Sequence, residues 1–117
     1  MKLVVVNLRT GKCLGDRIKL AADDRTRKVG LLDRDSLEPG EGLLIAPGNA
    51  IHTIGMRFPI SVAFLGEDGE ILRIWTCPPG IKRVSQAGAI TVLELPCGAL
   101  DRSLPGDRLS LQKLSEA

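Results

Sequence analysis

Ile60-Ser61-Val62-Ala63-Phe64-Leu65 is a run that reads as apolar on both faces, followed by the tight-turn signal Glu67-Asp68-Gly69 and the alternating stretch Glu70-Ile71-Leu72-Arg73-Ile74-Trp75. The first run suits a central strand covered on both sides, and the turn with its return strand makes an antiparallel hairpin. Working outward, the pattern stays extended. Leu43-Leu44-Ile45 is a short strand closed by Pro47-Gly48, and Ile51 to Phe58 reads as extended up to Pro59. The β-branched stretch at residues 2–8 ends at Thr10-Gly11-Lys12, and residues 13–20 alternate loosely with Ile18 and Leu20 on one face, which predicts a second hairpin. Beyond Trp75, Pro78-Pro79-Gly80 opens an irregular loop to Gly88, Ala89 to Leu95 is another strand, and Asp107 to Gln112 is the last.

Asp23-Asp24-Arg25-Thr26-Arg27-Lys28 interrupts this pattern. Two acids suit the positive end of a helix dipole, and Asp23–Arg27 and Asp24–Lys28 are i,i+4 pairs, so a helix is expected at about 23–33. Gly30 then falls in mid-helix at a cost of about 1 kcal/mol against alanine, and is read as permitting close packing on the sheet. Gly98 to Leu104 reads as a short second helix. The expected fold is α+β: a compact β-rich single domain, mostly antiparallel sheet or partly open barrel, with one main helix and a short second one.

The chain has 117 residues, 44% apolar and 26% charged, which fits one globular domain over residues 1–117. Sixteen Lys and Arg against 14 Asp and Glu leave a net charge of only +2, with one Trp, two Phe and no Tyr. A phosphate-binding domain needs a basic excess and stacking residues, so no nucleic-acid partner is expected. The apolar run Leu3-Val4-Val5-Val6 is too short for a secretory signal and no stretch is long enough for a membrane span, so a cytoplasmic protein without a membrane partner is expected, monomeric or weakly dimeric. Cys13, Cys77 and Cys97 are odd in number and widely spaced, which favours free thiols over disulfides.

Three blocks carry a resemblance. They are Arg27-Lys28-Val29-Gly30-Leu31-Leu32-Asp33-Arg34; Ile51-His52-Thr53-Ile54-Gly55-Met56-Arg57-Phe58-Pro59 running into Ile60–Leu65, with Gly69; and Val92-Leu93-Glu94-Leu95-Pro96 with Gly98, then Gly106-Asp107. In this order and spacing, from about Arg25 to Leu111, the chain resembles the uncharacterised family called domain of unknown function 192. The resemblance implies a compact β-rich prokaryotic domain and supplies no reaction and no catalytic residues.

Candidate chemistry is sparse. Cys13, His52, Cys77 and Cys97 match the ligand count of a tetrahedral zinc site, but no two lie in the close pair such sites use, so no metal and no cofactor are expected, and the thiols are read as small buried space-fillers. Cys97, before a predicted helix, is the best thiol nucleophile to set against His52. A regular strand would put His52, Ile54, Met56 and Phe58 on a core-facing side, with a Gly55 bulge bringing Arg57 round to His52. Arg27, Leu31 and Arg34 form a helical stripe whose guanidinium groups suit an anion, or simply a solvated face. The Gly40-Glu41-Gly42 and Gly66–Gly69 stretches carry no phosphate-loop signature and read as turns.

Glu94 lies in a strand apolar on both faces, so it is expected to be buried and paired with Arg57 or Arg34. The reading favoured by the sequence is a ligand- or protein-binding module without catalytic activity, its groove lined by His52, Met56, Arg57, Arg34 and Glu94 and suited to a small anionic ligand or a protein partner. The alternative is a small hydrolase-like enzyme using His52 with Glu94 or Cys97.

Overall fold

In a computed structural model describing residues 1–114, the strands assemble into one curled sheet. In chain order the elements are β1 (Lys2–Asn7), β2 (Cys13–Ala21), α1 (Asp24–Val29), β3 (Glu41–Ile45), β4 (Ala50–Ile51), β5 (Ile60–Leu65), a 3-10 turn (Glu67–Gly69), β6 (Ile71–Cys77), β7 (Val84–Ser85), β8 (Thr91–Pro96) and β9 (Leu109–Lys113). Seven strands form the main sheet in the order β6-β5-β8-β3-β2-β1-β9, while β4 and β7 pair separately. All neighbours in the main sheet are antiparallel except β2 and β3, whose parallel pairing follows from the α1-bearing connection between them. The sheet is a half-barrel, as a partly open barrel predicts.

The curl brings its two edges together at one end. Glu70 bridges Arg108, and the Ile71 amide donates to the Asp107 carbonyl at 2.8 Å. Asp107 fixes this junction. Its carboxylate accepts from Arg9 Nε at 2.6 Å, from Asn7 Nδ2 at 3.0 Å and from the Leu104 amide at 2.8 Å. The Arg9 and Asn7 donors hold its carboxyl below the usual carboxylate range.

The central strands are buried on both faces, as their sequence demands. Ala63 and Leu65 of β5 join Leu93 and Leu95 of β8, Leu3, Ile18 and Leu109 in one core. Ile60, Val62 and Phe64 join Val92, Leu43, Ile45 and Leu31 in a second core on the opposite face. This second core is covered by the segment after α1 and by β4, β7 and the turn after β4, which contribute Leu31, Ile51, Val84 and Met56.

Three sequence expectations are corrected here. The main helix is Asp24–Val29 rather than 23–33, because Gly30 takes φ of 50° and its amide closes the helix on the Thr26 carbonyl. Gly30 is therefore a stop and not a packing glycine; a Cβ there would meet Arg27 O and Leu43 Cδ2 only at 3.7 and 3.9 Å. Asp23 caps the helix through the Thr26 amide, and Asp24 pairs with Arg27 at i,i+3 in place of the expected i,i+4 pairs. The expected second helix is a series of turns over 97–102, begun by Gly98 at φ of 90°, whose amide is held by Ser61 Oγ at 2.9 Å. Finally, Ile51–Phe58 is not one strand. Its pairing ends at Ile51 and the chain turns at Gly55, where φ is 85°.

Candidate functional site

The turn at Gly55 inverts the expected pattern of its segment. Thr53 is fully buried, His52 is exposed and Ile54 is half exposed, while Met56 alone of the predicted face is buried. Thr53 is drawn inward by hydrogen bonds. Its hydroxyl donates to the Pro78 carbonyl at 2.6 Å and accepts from the Ile81 amide at 2.9 Å, and its backbone amide donates to the Ile81 carbonyl at 2.9 Å. These bonds tie the segment after β4 to the 78–83 loop, so that His52 and Arg83 line one cavity.

That cavity, about 310 Å³, lies between α1, the β3–β4 connection and the 83 region. Leu31, Leu32, Ile45, Ile51 and Met56 supply apolar walls, and Arg27, Lys28, His52 and Arg83 supply its basic groups. Glu94 of β8 also lines it and is only 3% exposed. In the sheet Glu94 stands opposite Leu43 of β3 and Val62 of β5, so its side chain projects into the second apolar core, on the same face as these two neighbours. Among the described residues it has no ion-pair or side-chain hydrogen-bond partner. Burial pushes its carboxyl up to about 7. The nearby Cys77 thiol, buried in the same core, is pushed up to about 11, first by burial and then by the Glu94 charge.

The expected arginine partners are elsewhere. Arg57 pairs with Asp35 at 2.6 Å and Arg34 with Glu41 at 2.8 Å, both in more exposed positions. The helical stripe that linked Arg27 to Arg34 ends at Gly30, and of its two arginines only Arg27 reaches the cavity. Its guanidinium is occupied by Asp24 and by the Ala22 and Ala46 carbonyls. The structure thus brings together His52, Met56 and Glu94 of the expected set and leaves out Arg57 and Arg34. Sequence reasoning missed Lys28 and Arg83, neither of which has an ion-pair partner among the described residues. Lys28 had a signal in its block, whereas Arg83 sits in a loop that offers none.

Cys97 lies away from His52. With Cys13 it lines a separate cleft of about 280 Å³ near Pro39 and Pro96. Both thiols are exposed, so only Cys77 is the buried space-filler expected of all three. Among the described residues no three His, Cys, Asp or Glu side chains converge as metal ligands, and no helix is long and apolar enough to cross a membrane.

The fold recurs in solved structures. A protein provisionally described as a transcription regulator from Sinorhizobium meliloti 1021 superposes with a TM-score of 0.79 at 26% identity, over 93% of this chain and 91% of that one. A protein of unknown function from Novosphingobium aromaticivorans DSM 12444 gives a TM-score of 0.78 at 24% identity, over 92% of this chain and 82% of that one, a likeness of fold alone. No curated protein matches the chain. The DUF192 family model, described as "Uncharacterized ACR", matches residues 5–111 of the 117, covering every main-sheet strand at least in part, and the chain belongs to that family.

Proposed function

We propose that the protein is a ligand-binding module without catalytic activity, and that the cavity over Glu94 takes a small organic molecule whose anionic group meets Lys28, Arg83 and His52. One observation carries this reading: a carboxyl that is 3% exposed lines a cavity of mixed apolar and basic walls with no partner from its own chain. Among the described residues no fully buried side-chain nitrogen or oxygen lacks a hydrogen-bond partner, so the Glu94 carboxyl, unbonded within its own chain, keeps its small exposed area open to the cavity, where a ligand atom can complete its bonding. The cavity volume, about 310 Å³, sits at the small end of the range that small-molecule sites occupy, roughly 300–1,000 Å³.

Catalysis by His52 is not the favoured reading. His52 makes no hydrogen bond to Glu94, and Cys97 lines a different cleft, so neither pair has the oriented contact a nucleophile and its base require. The regulator-like relative does not bring DNA binding with it, since a net charge of +2 and three aromatic residues make a poor phosphate-binding surface. The same reading places the module in the prokaryotic cytoplasm, where exposed thiols such as Cys13 and Cys97 stay reduced.

Thermal unfolding in the presence of small carboxylates, amino acids and phosphate monoesters tests the proposal. A ligand at a hundred times its Kd stabilises by about 2.7 kcal/mol. We expect at least one class to raise Tm in the wild type and to lose that effect in the Lys28→Ala/Arg83→Ala double variant. No shift with any class, or equal shifts in both proteins, refutes it.

A further inference from the structure

Resting on the ligand-binding reading above, we propose that the ligand is a small zwitterion, its protonated amine paired with the Glu94 carboxylate and its own carboxylate facing Lys28 and Arg83. The argument is one of charge placement. The buried end of the cavity holds a single acid, Glu94, and its exposed residues include two cations, Lys28 and Arg83, without ion-pair partners among the described residues. Arg27 is already committed to Asp24 and to two backbone carbonyls. A simple anion satisfies the exposed cations but sets a like charge in the same low-dielectric cavity as Glu94. A simple amine satisfies Glu94 but must pass and stay near two unpaired cations. Only a molecule carrying both charges leaves no group in the cavity opposed, and a buried carboxylate gains most from a partner that is charged and hydrogen-bonded.

The walls set the remainder of the ligand. Leu31, Ile45, Ile51 and Met56 offer apolar contact to a hydrocarbon skeleton, with Met56 able to adapt its shape to it. The volume of about 310 Å³ corresponds to about ten water molecules at liquid density. That is room for an amino acid of a few carbons.

Four compounds of one chain length separate the terms: 2-aminohexanoate, 6-aminohexanoate, hexanoate and hexylamine, each titrated calorimetrically at pH 7.5. We expect at least one of the two amino acids to bind at least tenfold more tightly than both hexanoate and hexylamine. In Glu94→Gln that amino acid should lose at least tenfold in affinity while hexanoate holds or gains. Because this substitution removes a buried charge, the variant remains folded and its lost binding reports recognition. Hexanoate binding as tightly as either amino acid overturns the zwitterion and leaves the anion reading standing. Hexylamine binding as tightly overturns the role of Lys28 and Arg83, and with it both readings. Absence of binding by all four overturns the zwitterion, and absence of a Tm shift with phosphate monoesters and other small carboxylates as well overturns the ligand-binding reading.

Discussion

Replacing Glu94 with Gln should stabilise the protein at neutral and alkaline pH, and the size of the effect follows from the burial of one carboxyl. Glu94 is pushed from its ordinary 4.5 up to about 7 because burial penalises its charged form. The folded state therefore holds this proton where the unfolded state has released it. The group's contribution to stability is complete below about pH 4.5 and is lost as the pH rises through 7. Each pH unit across that window is worth about 1.4 kcal/mol, so above pH 7 the wild type carries a penalty of about 3 kcal/mol. Glutamine has nearly the same shape and stays neutral. The titratable and charged groups that share the cavity or the core with Glu94 are Cys77 from β6, Arg27 and Lys28 from α1, His52 after β4 and Arg83 before β7; none forms an ion pair with it, so none is orphaned by the change. Urea unfolding of both proteins from pH 4.5 to 8.5 isolates this group, because every other carboxyl cancels in the difference. The two should be nearly equal at pH 4.5, and the variant should lead by about 3 kcal/mol at pH 8, on the order of 10 °C in Tm. A variant less stable at pH 8 would show that Glu94 has a cationic partner, and a difference independent of pH would show that folding does not shift its titration; either result refutes the reasoning.

Two other perturbations test how the site is built. Thr53→Val keeps the side-chain shape but leaves the Ile81 amide and the Pro78 carbonyl without their hydroxyl partner, so it should destabilise by about 1–3 kcal/mol in urea unfolding and speed amide exchange at Ile81. Unchanged stability and exchange would mean that Thr53 does not hold the cavity wall. Asp107→Asn weakens the contacts to Arg9 and Asn7 where the sheet edges meet. Since Asp107 titrates below its ordinary range, its stabilisation is present above pH 4 and lost on acidification, so the wild type should melt above the variant at pH 7 and the gap should close towards pH 2. A gap that persists in acid refutes the assignment.

The strands were legible because their signal is local. Ile60–Leu65 is apolar at every position but Ser61, and the structure buries it on both faces, against Leu93 and Leu95 on one side and Val92 and Leu43 on the other. The first hairpin and the Glu67–Gly69 turn were read the same way. What failed were the roles given to glycines. Gly30, read as a packing glycine, and Gly55, read as a bulge, adopt a positive φ and end or turn the element expected to run through them, and Gly98, the expected start of a helix, begins a series of turns instead. A spacing pattern records which residues want burial; it does not record where the backbone stops, and at these three positions the backbone decided.

The site shows the same limit at longer range. Burial of Glu94 could be read from its neighbours along β8, and it is observed. Its partner could not, because pairing depends on where separate segments come to rest. Arg57 and Arg34 were expected near Glu94 because their blocks pack around this core, Arg57 by way of a bulge at Gly55; Gly55 instead turns the chain, and Arg57 swings to Asp35 at 2.6 Å. Arg34 lies beyond the helix end at Gly30 and settles on Glu41 at 2.8 Å. The two glycines that cut those elements short are thus the ones that deny Glu94 both arginines, and the segments they redirect carry Leu31, Leu32 and Met56 into the walls around it. An internal ion pair would have filled the space above β8 and neutralised its acid. The turns instead leave a cavity with an unpaired carboxyl, and in this fold the residues that break the regular structure are the ones that leave that cavity open.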